Sequence, residues 1–271
     1  MHTFSILGAR GSMLVSGREC GRYGLHTTCM TMKTPQGLLA IDAGTGLPAT
    51  LNADEAKGGS VPPLTILFTH FHMDHVVGLP LLQTLYNSDA SIRLMGDPRR
   101  AWQASVRGFV GKPYWPVELL EADAAIELQD LPIASHALEI HGVRITWCPV
   151  WHPQECLAYR LEVDGKAYVV ATDREHGHPD LDPPFVQFCR NADVLVHDAQ
   201  YLPEEYPRHR GWGHSTFQAA AAVACTANVG RLLLTHHDCG RADDEVDRLV
   251  EQARLLFPNT EAAAEGMQLG G

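Results

Sequence analysis

Apolar positions along the chain follow two rhythms. The first is that of strands: TFSILG (3–8), TTCMTMK (27–33), LLAIDAG (38–44), LTILFTH (64–70) and SIRLMG (91–96), then GVRITWCPVWH (142–152), LAYRLEV (157–163), KAYVVATD (166–173), ADVLVHDA (192–199) and RLLLTHH (231–237). Several are apolar at nearly every position, the pattern of a strand covered on both faces. Asp164-Gly165 separates two of them and is a strong hairpin signal. The second rhythm is helical. VVGLPLLQTLY (76–86) puts Val76, Leu79, Leu82 and Tyr86 on one face, with Pro80 tolerated near the start. STFQAAAAVACTAN (215–228) opens on Ser215 as a candidate N-cap, and DDEVDRLVEQARLLF (243–257) carries acidic residues in its first turn, where the helix dipole favours them. Strands in two blocks with helices among them predict an α/β fold of stacked sheets with helices outside. The stretch 57–63 reads as a loop rather than a boundary, so residues 1–271 are expected to form a single domain.

Composition narrows the class. Apolar content of 45% and charged content of 20% are those of an ordinary globular protein. No run approaches the roughly 18 apolar residues of a membrane span. The N-terminus lacks a basic segment followed by an apolar one, so no cleaved secretion signal is expected. Seven scattered cysteines without a CxxC pair predict reduced thiols and a cytoplasmic location. A net charge of -11 disfavours non-specific attraction to nucleic acid.

Histidine is the oddity. Fifteen occur, and three of them crowd with an aspartate into HFHMDH (70–75), directly after the apolar run LTILFT. Such side chains repel or compete for protons unless a cation sits among them. A strand ending at His70 places the loop where α/β architectures gather reactive groups. Alternating residues His70 and His72 face one way, and Asp74 and His75 are aimed at a neighbouring point. Imidazoles with a carboxylate suit Zn²⁺, while Mn²⁺ and Fe²⁺ remain compatible. One loop cannot close two such sites. His152, Asp173 and His236 each end an apolar strand, and are the candidates to complete them, although each alone also reads as a turn former or satisfied polar group.

These residues carry a family resemblance. THFHMDH, His152, ATD (171–173) and LTHHD (234–238) resemble the ordered ligand motifs of the metallo-β-lactamase-fold hydrolases, over a span from Asp42 in AIDAGTG to His236. The resemblance implies a four-layer αββα sandwich with the site along one edge. It implies His70, His72 and His152 on one ion, Asp74, His75 and His236 on a second, and Asp173 bridging them. Asp42 in that family's pattern holds supporting loops; a plain turn aspartate before Gly44 and Gly46 is the other reading. VLVHDAQYLPEEYPRHRGWGHST (194–216) is similar to the tRNase Z-like phosphodiesterase branch. That similarity implies Asp198 orienting His214 beside a scissile phosphate, where a carboxylate-backed imidazole can serve a leaving alkoxide near neutral pH. The alternative is Asp198 as a turn residue and His214 preceding the Ser215 cap. Asp198 stands where tRNase Z tends to have Glu, and its shorter arm predicts a looser or shifted pair.

The implied reaction is hydrolysis by a hydroxide held between two divalent ions about 3.5–4 Å apart, with Asp74 orienting it and taking the leftover proton. The expected substrate is a small, cyclic-nucleotide-like phosphodiester, because the body is acidic and no counterpart of the long tRNA-binding arm is evident. A tRNA 3′-end endonuclease is the runner-up, and a thioester or lactone hydrolase could use the same metals. A non-catalytic metal-responsive regulator and a redox di-iron protein fit less well. Structured nucleic acid is thus the less favoured partner, no membrane partner is expected, and a homodimer stays open. Residues 96–123 carry Arg99, Arg100, Arg107 and Lys112 with Trp102, Phe109, Tyr114 and Trp115. They form either a lid that stacks on a base or a helix packed on the core. Arg174 reads as a phosphate contact or a surface residue, and Glu175, His176 and His178 as site support or solvated loop. GARGS (8–12) resembles an anion-cradling turn. His237 is expected to point away from the site, and Cys239 to be a plain thiol.

Overall fold

The computed structural model describes residues 2–59 and 62–270. Ser60 and Val61, within the loop expected at 57–63, lie outside the described residues, as do Met1 and Gly271.

The first sheet is built from β1 (Thr3–Gly8), β2 (Cys29–Thr34), β3 (Gly37–Ile41), β4 (Leu64–Leu67), β5 (Ser91–Gly96) and β6 (Ala125–Asp130) in chain order. The second runs through β7 (Ala137–Ile140), β8 (Val143–Val150), β9 (Cys156–Val163), β10 (Lys166–Ala171), β11 (Val194–Asp198), β12 (Arg231–Thr235) and β13 (Thr260–Ala262). The short β14 (Gln268–Leu269) returns to pair with β1. Side-chain alternation explains why the strands are apolar on both faces. In β12, Leu232 and Leu234 pack under helices while Leu233 packs between the sheets; in β10, Val169 and Ala171 face the helices while Tyr168 and Val170 face the first sheet. Helices α1 (Gly46–Ala56), α2 (Met73–Val76) and α3 (Trp102–Phe109) lie in the segments joining strands of the first sheet. Helices α4 (Asp182–Phe188), α5 (Phe217–Thr226) and α6 (Asp243–Arg254) follow strands of the second. Three apolar layers result: one between the sheets and one under each set of helices. This is the αββα sandwich.

Strand direction positions the chemistry. β3 to β6 run parallel, as do β10 to β13. β8 and β10 each pair antiparallel with β9 and so point the same way. Their C-terminal ends therefore form one rim, where open α/β sheets hold ligands. The two sheets are stitched at that rim. Gly11 N donates to His237 O (3.0 Å), His237 N to Ala9 O (2.9 Å), and Tyr159 Oη to the Phe68 carbonyl (2.7 Å).

Several expectations need correction. No continuous helix forms over 76–86: α2 ends at Val76 and two 3₁₀ turns follow, at Leu79–Leu81 and Gln83–Tyr86. Gly78 lies against the backbone of Gly44, where an added Cβ would come within 2.2 Å of a carbonyl oxygen, and Leu82 is extended between the turns. Val76, Leu79 and Leu82 are buried as that face requires, but Tyr86 is exposed. Thr216, not Ser215, caps α5, accepting from Ala219 N at 3.3 Å. α6 ends at Arg254 rather than 257. β6, β7, β13 and β14 carry weak or partial apolar alternation, and the sequence reading missed them. The Asp164-Gly165 turn is present, both residues having positive φ (49° and 74°) as a type I′ hairpin demands. The seven cysteines are unpaired, and among the described residues no helix is long and apolar enough to cross a membrane.

His197 is fully buried in β11, accepting at Nε2 from Arg174 (3.2 Å) while its Nδ1 meets the Asp198 carbonyl (2.7 Å). Burial first, then the Arg174 charge, pushes its pKa from 6.5 to about 3. The unfolded chain therefore binds the extra proton as pH falls below 6.5, and the contribution present above 6.5 is lost progressively toward pH 3. We expect His197→Gln to flatten the acid limb of the stability–pH curve by roughly 3–5 kcal/mol between those limits, read by urea denaturation at stepped pH. An unchanged limb would exclude His197 as its source.

Candidate metal centre

Six strand ends deliver the site. Asp42 follows β3, Thr69 and His70 follow β4, His152 follows β8, Asp173 follows β10, Asp198 ends β11 and His236 follows β12. Asp42, Asp173 and His236 each hold a left-handed backbone, with φ of 62°, 47° and 59°. Non-glycine residues adopt that region at a cost of order 1 kcal/mol each. All three are fully buried. The strain turns each side chain off its strand into a common space.

What faces that space is set by the hydrogen bonds behind the rings. Thr69 Oγ1 donates to Asp42 Oδ2 (2.7 Å), so toward His70 Nδ1 (3.0 Å) it can only accept. His70 therefore carries its proton on Nδ1 and presents a bare Nε2. His152 Nδ1 donates to the Gly213 carbonyl (2.9 Å), leaving its Nε2 bare as well. Both bare nitrogens converge on His72 Nδ1, at 2.9 and 3.0 Å. One proton on His72 could satisfy only one of them. Asp173 Oδ1 completes the group, 3.7 Å from His70 Nε2. A second cluster lies alongside. His75 Nδ1 donates to Asp42 Oδ2 (2.7 Å) and His236 Nδ1 to Gln200 Oε1 (2.8 Å). Their Nε2 atoms face carboxylates: His75 meets Asp173 at 3.0 Å and Asp74 at 3.3 Å, and His236 meets both at 3.2 Å. His75 Nε2 and Asp173 Oδ2 are buried without an aligned hydrogen-bond partner.

Electrostatics separate the halves. Burial drives His70 well below the ordinary imidazole range and takes His152 to about 4, so both are neutral donors. Burial also opposes charging His75 and His236, but Asp173, with Asp74 and other carboxylates, overrides it. His75 is held well above 6.5 and His236 is raised to about 10. Asp74 and Asp173, despite the same burial, stay far below the usual carboxylate range because of those histidines. Two buried anions thus demand positive charge, while neutral lone pairs beside them seek an acceptor. His70, His72, His152 and Asp173 form one candidate ligand group, and Asp74, His75, His236 and Asp173 another. Divalent cations meet both demands.

A third cluster, Asp198, His214 and His236, is close enough for a metal by distance alone. Hydrogen bonding argues against it. Asp198 Oδ1 accepts from Ser215 N (2.9 Å) and Gln200 N (3.1 Å), while Oδ2 accepts from His214 Nδ1 at 2.7 Å. The carboxylate is fully used in aiming one imidazole. The pair is tight rather than loose, contrary to the expectation from the shorter aspartate arm. The His214 loop closes the gap, drawn in by Ser215 N and by Glu175, which accepts from Gly211 N and Gly213 N.

Other candidates find different places. Asp42 ties Thr69 and His75 together rather than making a plain turn. Ser12 N donates to Asp74 Oδ2 (2.9 Å), so the anion cradled by the GARGS turn is the site's own carboxylate. Arg174 is neither a surface residue nor a phosphate contact: it is buried, paired with Asp182 (2.7 Å) and laid over the Phe185 ring. His237 is buried away from the cluster, on the Ala263 carbonyl. Trp102 is buried and donates to Asp130 (2.8 Å), which removes it from any base-stacking lid. Arg99 pairs with Asp97 and Arg100 with Asp97 and Glu155. Gln200, which aims His236, escaped the sequence reading; its only signal is its position two residues after Asp198.

Residues 39–237 match the model described as the beta-lactamase superfamily domain. The chain belongs to that superfamily, and with its metal-type ligand groups it is a metal-dependent hydrolase whose fold implies divalent metal ions. It is similar to ribonuclease Z of Bacillus mycoides, 39% identical over 248 residues that cover 74% of this chain and 78% of that one. It is also similar to ribonuclease BN of Cronobacter sakazakii, 24% identical across 84% and 88% of the two chains. Among solved structures, a diphosphatase from the PhnP family aligns over 100% of this chain and 98% of its own at TM-score 0.72 and 20% identity. Zn²⁺-bound PqqB from Methylobacterium extorquens aligns over 100% of both at 0.75 and 19%. These two likenesses show the fold.

Two glycines give the architecture a direct test. A Cβ on Gly11 would lie 2.3 Å from His236 Nδ1, and one on Gly213, at φ +90°, 2.1 Å from His152 Nδ1. Gly165 has an equally left-handed backbone with nothing within 4 Å. We expect Gly11→Ala and Gly213→Ala each to weaken divalent-metal binding at least ~10-fold. Gly165→Ala should lower the melting temperature without touching metal content. Metal analysis after dialysis against limiting zinc decides it; full loading of Gly11→Ala would contradict the packing described.

Proposed function

We propose that the protein hydrolyses a small phosphodiester using a pair of divalent cations, with zinc best matched to the donors. His70, His72 and His152 would hold one ion and Asp74, His75 and His236 the other, with Asp173 shared. Bound there, the cations would polarise phosphoryl oxygens and bring the pKa of a coordinated water near 7. The observation that carries the reading is the Asp198–His214 pair beside both groups. The His214 ring stacks on His236 at 4.7 Å and stands edge-on to His152 at 5.4 Å. Its Nδ1 is committed to Asp198, so Nε2 is the nitrogen left to meet substrate. A departing alkoxide is a poor leaving group that needs a proton, and an imidazolium backed by a buried carboxylate supplies one. Asp74, fixed by Ser12 N–H, stands to orient the attacking water and accept its proton. A thioester expels a thiolate that needs no such donor, which leaves the pair without a purpose.

The ribonuclease names of the curated relatives favour a second reading, a tRNA 3′-end endonuclease. A body of net charge -11 counts against it, because RNA is held mainly through clustered cations on phosphates. Metal-loaded protein assayed in parallel on cyclic nucleotides, bis-p-nitrophenyl phosphate, precursor tRNA and a thioester separates the readings. Turnover of the first two in preference to the others is the expected result, and thioester turnover alone would overturn the proposal.

The roles divide by variant. His72→Ala is expected to lose about one metal equivalent and at least ~1000-fold in kcat/KM. His214→Ala should retain metal and lose about 100- to 10,000-fold in kcat. Metal content measured alongside kinetics tests both; full turnover by either variant refutes its assigned role.

A further inference from the structure

Beside the centre lies an open groove of about 420 Å³ between Trp151, His176, His178, Tyr206 and Arg210. That volume is within the range of small-ligand sites. Its walls are aromatic. Trp151 and His178 stand 5.2 Å apart, His176 and Tyr206 4.3 Å apart, and the Arg210 guanidinium leans on the Tyr206 ring at 5.8 Å. Trp151 keeps 37% of its surface in solvent, although most tryptophans with a packing role are buried. Gly177 and Gly211 line the groove without side chains, and a Cβ on either would meet nothing within 4 Å.

The residues that line the groove are tied to the metal centre by chain adjacency and hydrogen bonds. Trp151 directly precedes His152. Glu175 accepts from Gly211 N and Gly213 N, Gly213 O accepts from His152 Nδ1, and His176 Nδ1 lies 3.4 Å from Ser215 Oγ, next to His214. Charge points the same way. Residues 206–214, YPRHRGWGH, contain two arginines and no acid in a chain of net charge -11. Neither Arg208 nor Arg210 is found in an ion pair among the described residues, whereas Arg99, Arg100 and Arg174 all are.

We propose that this groove is a nucleobase subsite: a planar base attached to the reacting phosphodiester stacks against Trp151 and the His176–Tyr206 pair, and Arg210 faces its anionic backbone. The proposal rests on the phosphodiesterase reading and assigns the substrate class within it, a nucleotide rather than a simple dialkyl phosphate. It also moves base recognition away from residues 96–123, whose Trp102 is unavailable.

The test compares thymidine 5′-(p-nitrophenyl phosphate) with methyl p-nitrophenyl phosphate, which have the same leaving group with and without a base. Stacking on one aromatic residue changes binding by about ten-fold or more. Wild type is expected to prefer the nucleoside ester at least ~10-fold in kcat/KM. Trp151→Ala should shrink that ratio at least ~5-fold, and Arg210→Ala should shrink it through KM. An unchanged ratio in both variants overturns the subsite. A second measurement is independent of turnover: calorimetric binding of AMP and of ribose 5-phosphate to the zinc-loaded protein. Tighter binding of AMP that Trp151→Ala abolishes upholds the groove even if no phosphodiester is cleaved, in which case only the reaction reading falls. Equal binding of the two ligands to wild type overturns the groove whatever the turnover.

Discussion

Every feature of the centre depends on where four imidazoles keep their protons. Thr69, Gly213, Asp42 and Gln200 each occupy the Nδ1 side of one ring, at 3.0, 2.9, 2.7 and 2.8 Å. With those positions taken, all four Nε2 atoms are turned inward: those of His70 and His152 as bare lone pairs, those of His75 and His236 against the carboxylates of Asp74 and Asp173. In an apolar interior, such a convergence costs several kcal/mol per unpartnered polar group. Asp42 is the keystone, since its two oxygens serve Thr69 N, Thr69 Oγ1 and His75 Nδ1 together. Burial raises its pKa, although His75 and the Thr69 bonds pull the other way. It is held by neighbours rather than by solvent, and it couples the first cluster to the second.

The fold makes this convergence affordable only at one rim. Parallel strands bring six C-terminal ends together, and three of the residues there take left-handed backbones. Such geometry persists only where the surroundings over-determine it. Here they do: Gly11 packs on the His236 ring, Gly213 on the His152 ring, and the strand extensions at Ala9–Gly11 and His237 hydrogen-bond across the sheets. Rigidity of the centre and closure of the sandwich are therefore one structural fact. A loosened stitch at Gly11 would move a ring as well as a strand.

The elements legible in the sequence were those whose physics is local. Doubly apolar strands, the Asp164-Gly165 turn and the crowding at 70–75 announce themselves within a few residues, and a superfamily resemblance could then order His152, Asp173 and His236. What was hidden depends on partners distant in the chain. VVGLPLLQTLY has a helical period, but Gly78 must lie on Gly44, and the helix breaks. Arg174 looks like a surface cation until Asp182 and Phe185 close over it. Ser215 looks like a cap until its hydroxyl is claimed by the Arg174 carbonyl at 2.5 Å, leaving Thr216 to cap α5. Gln200 has no local signature beyond its place two residues after Asp198, because its role exists only once β12 delivers His236 beside it.

Residues 206–214 join two structural tasks that could have been separate. Through Glu175 and Gly213 the segment fixes His152 and delivers His214 to Asp198; through Tyr206 and Arg210 it builds the wall of the aromatic groove. Glu175 is the hinge between them, accepting from Tyr206 Oη at 2.9 Å while holding the Gly211 and Gly213 amides. A ligand that shifts Tyr206 would therefore act on the same carboxylate that holds the loop carrying His214. On the proposed base subsite, stacking energy gained in the groove would be expressed as alignment at the reacting centre, which is how contacts remote from a breaking bond raise kcat rather than only tightening binding.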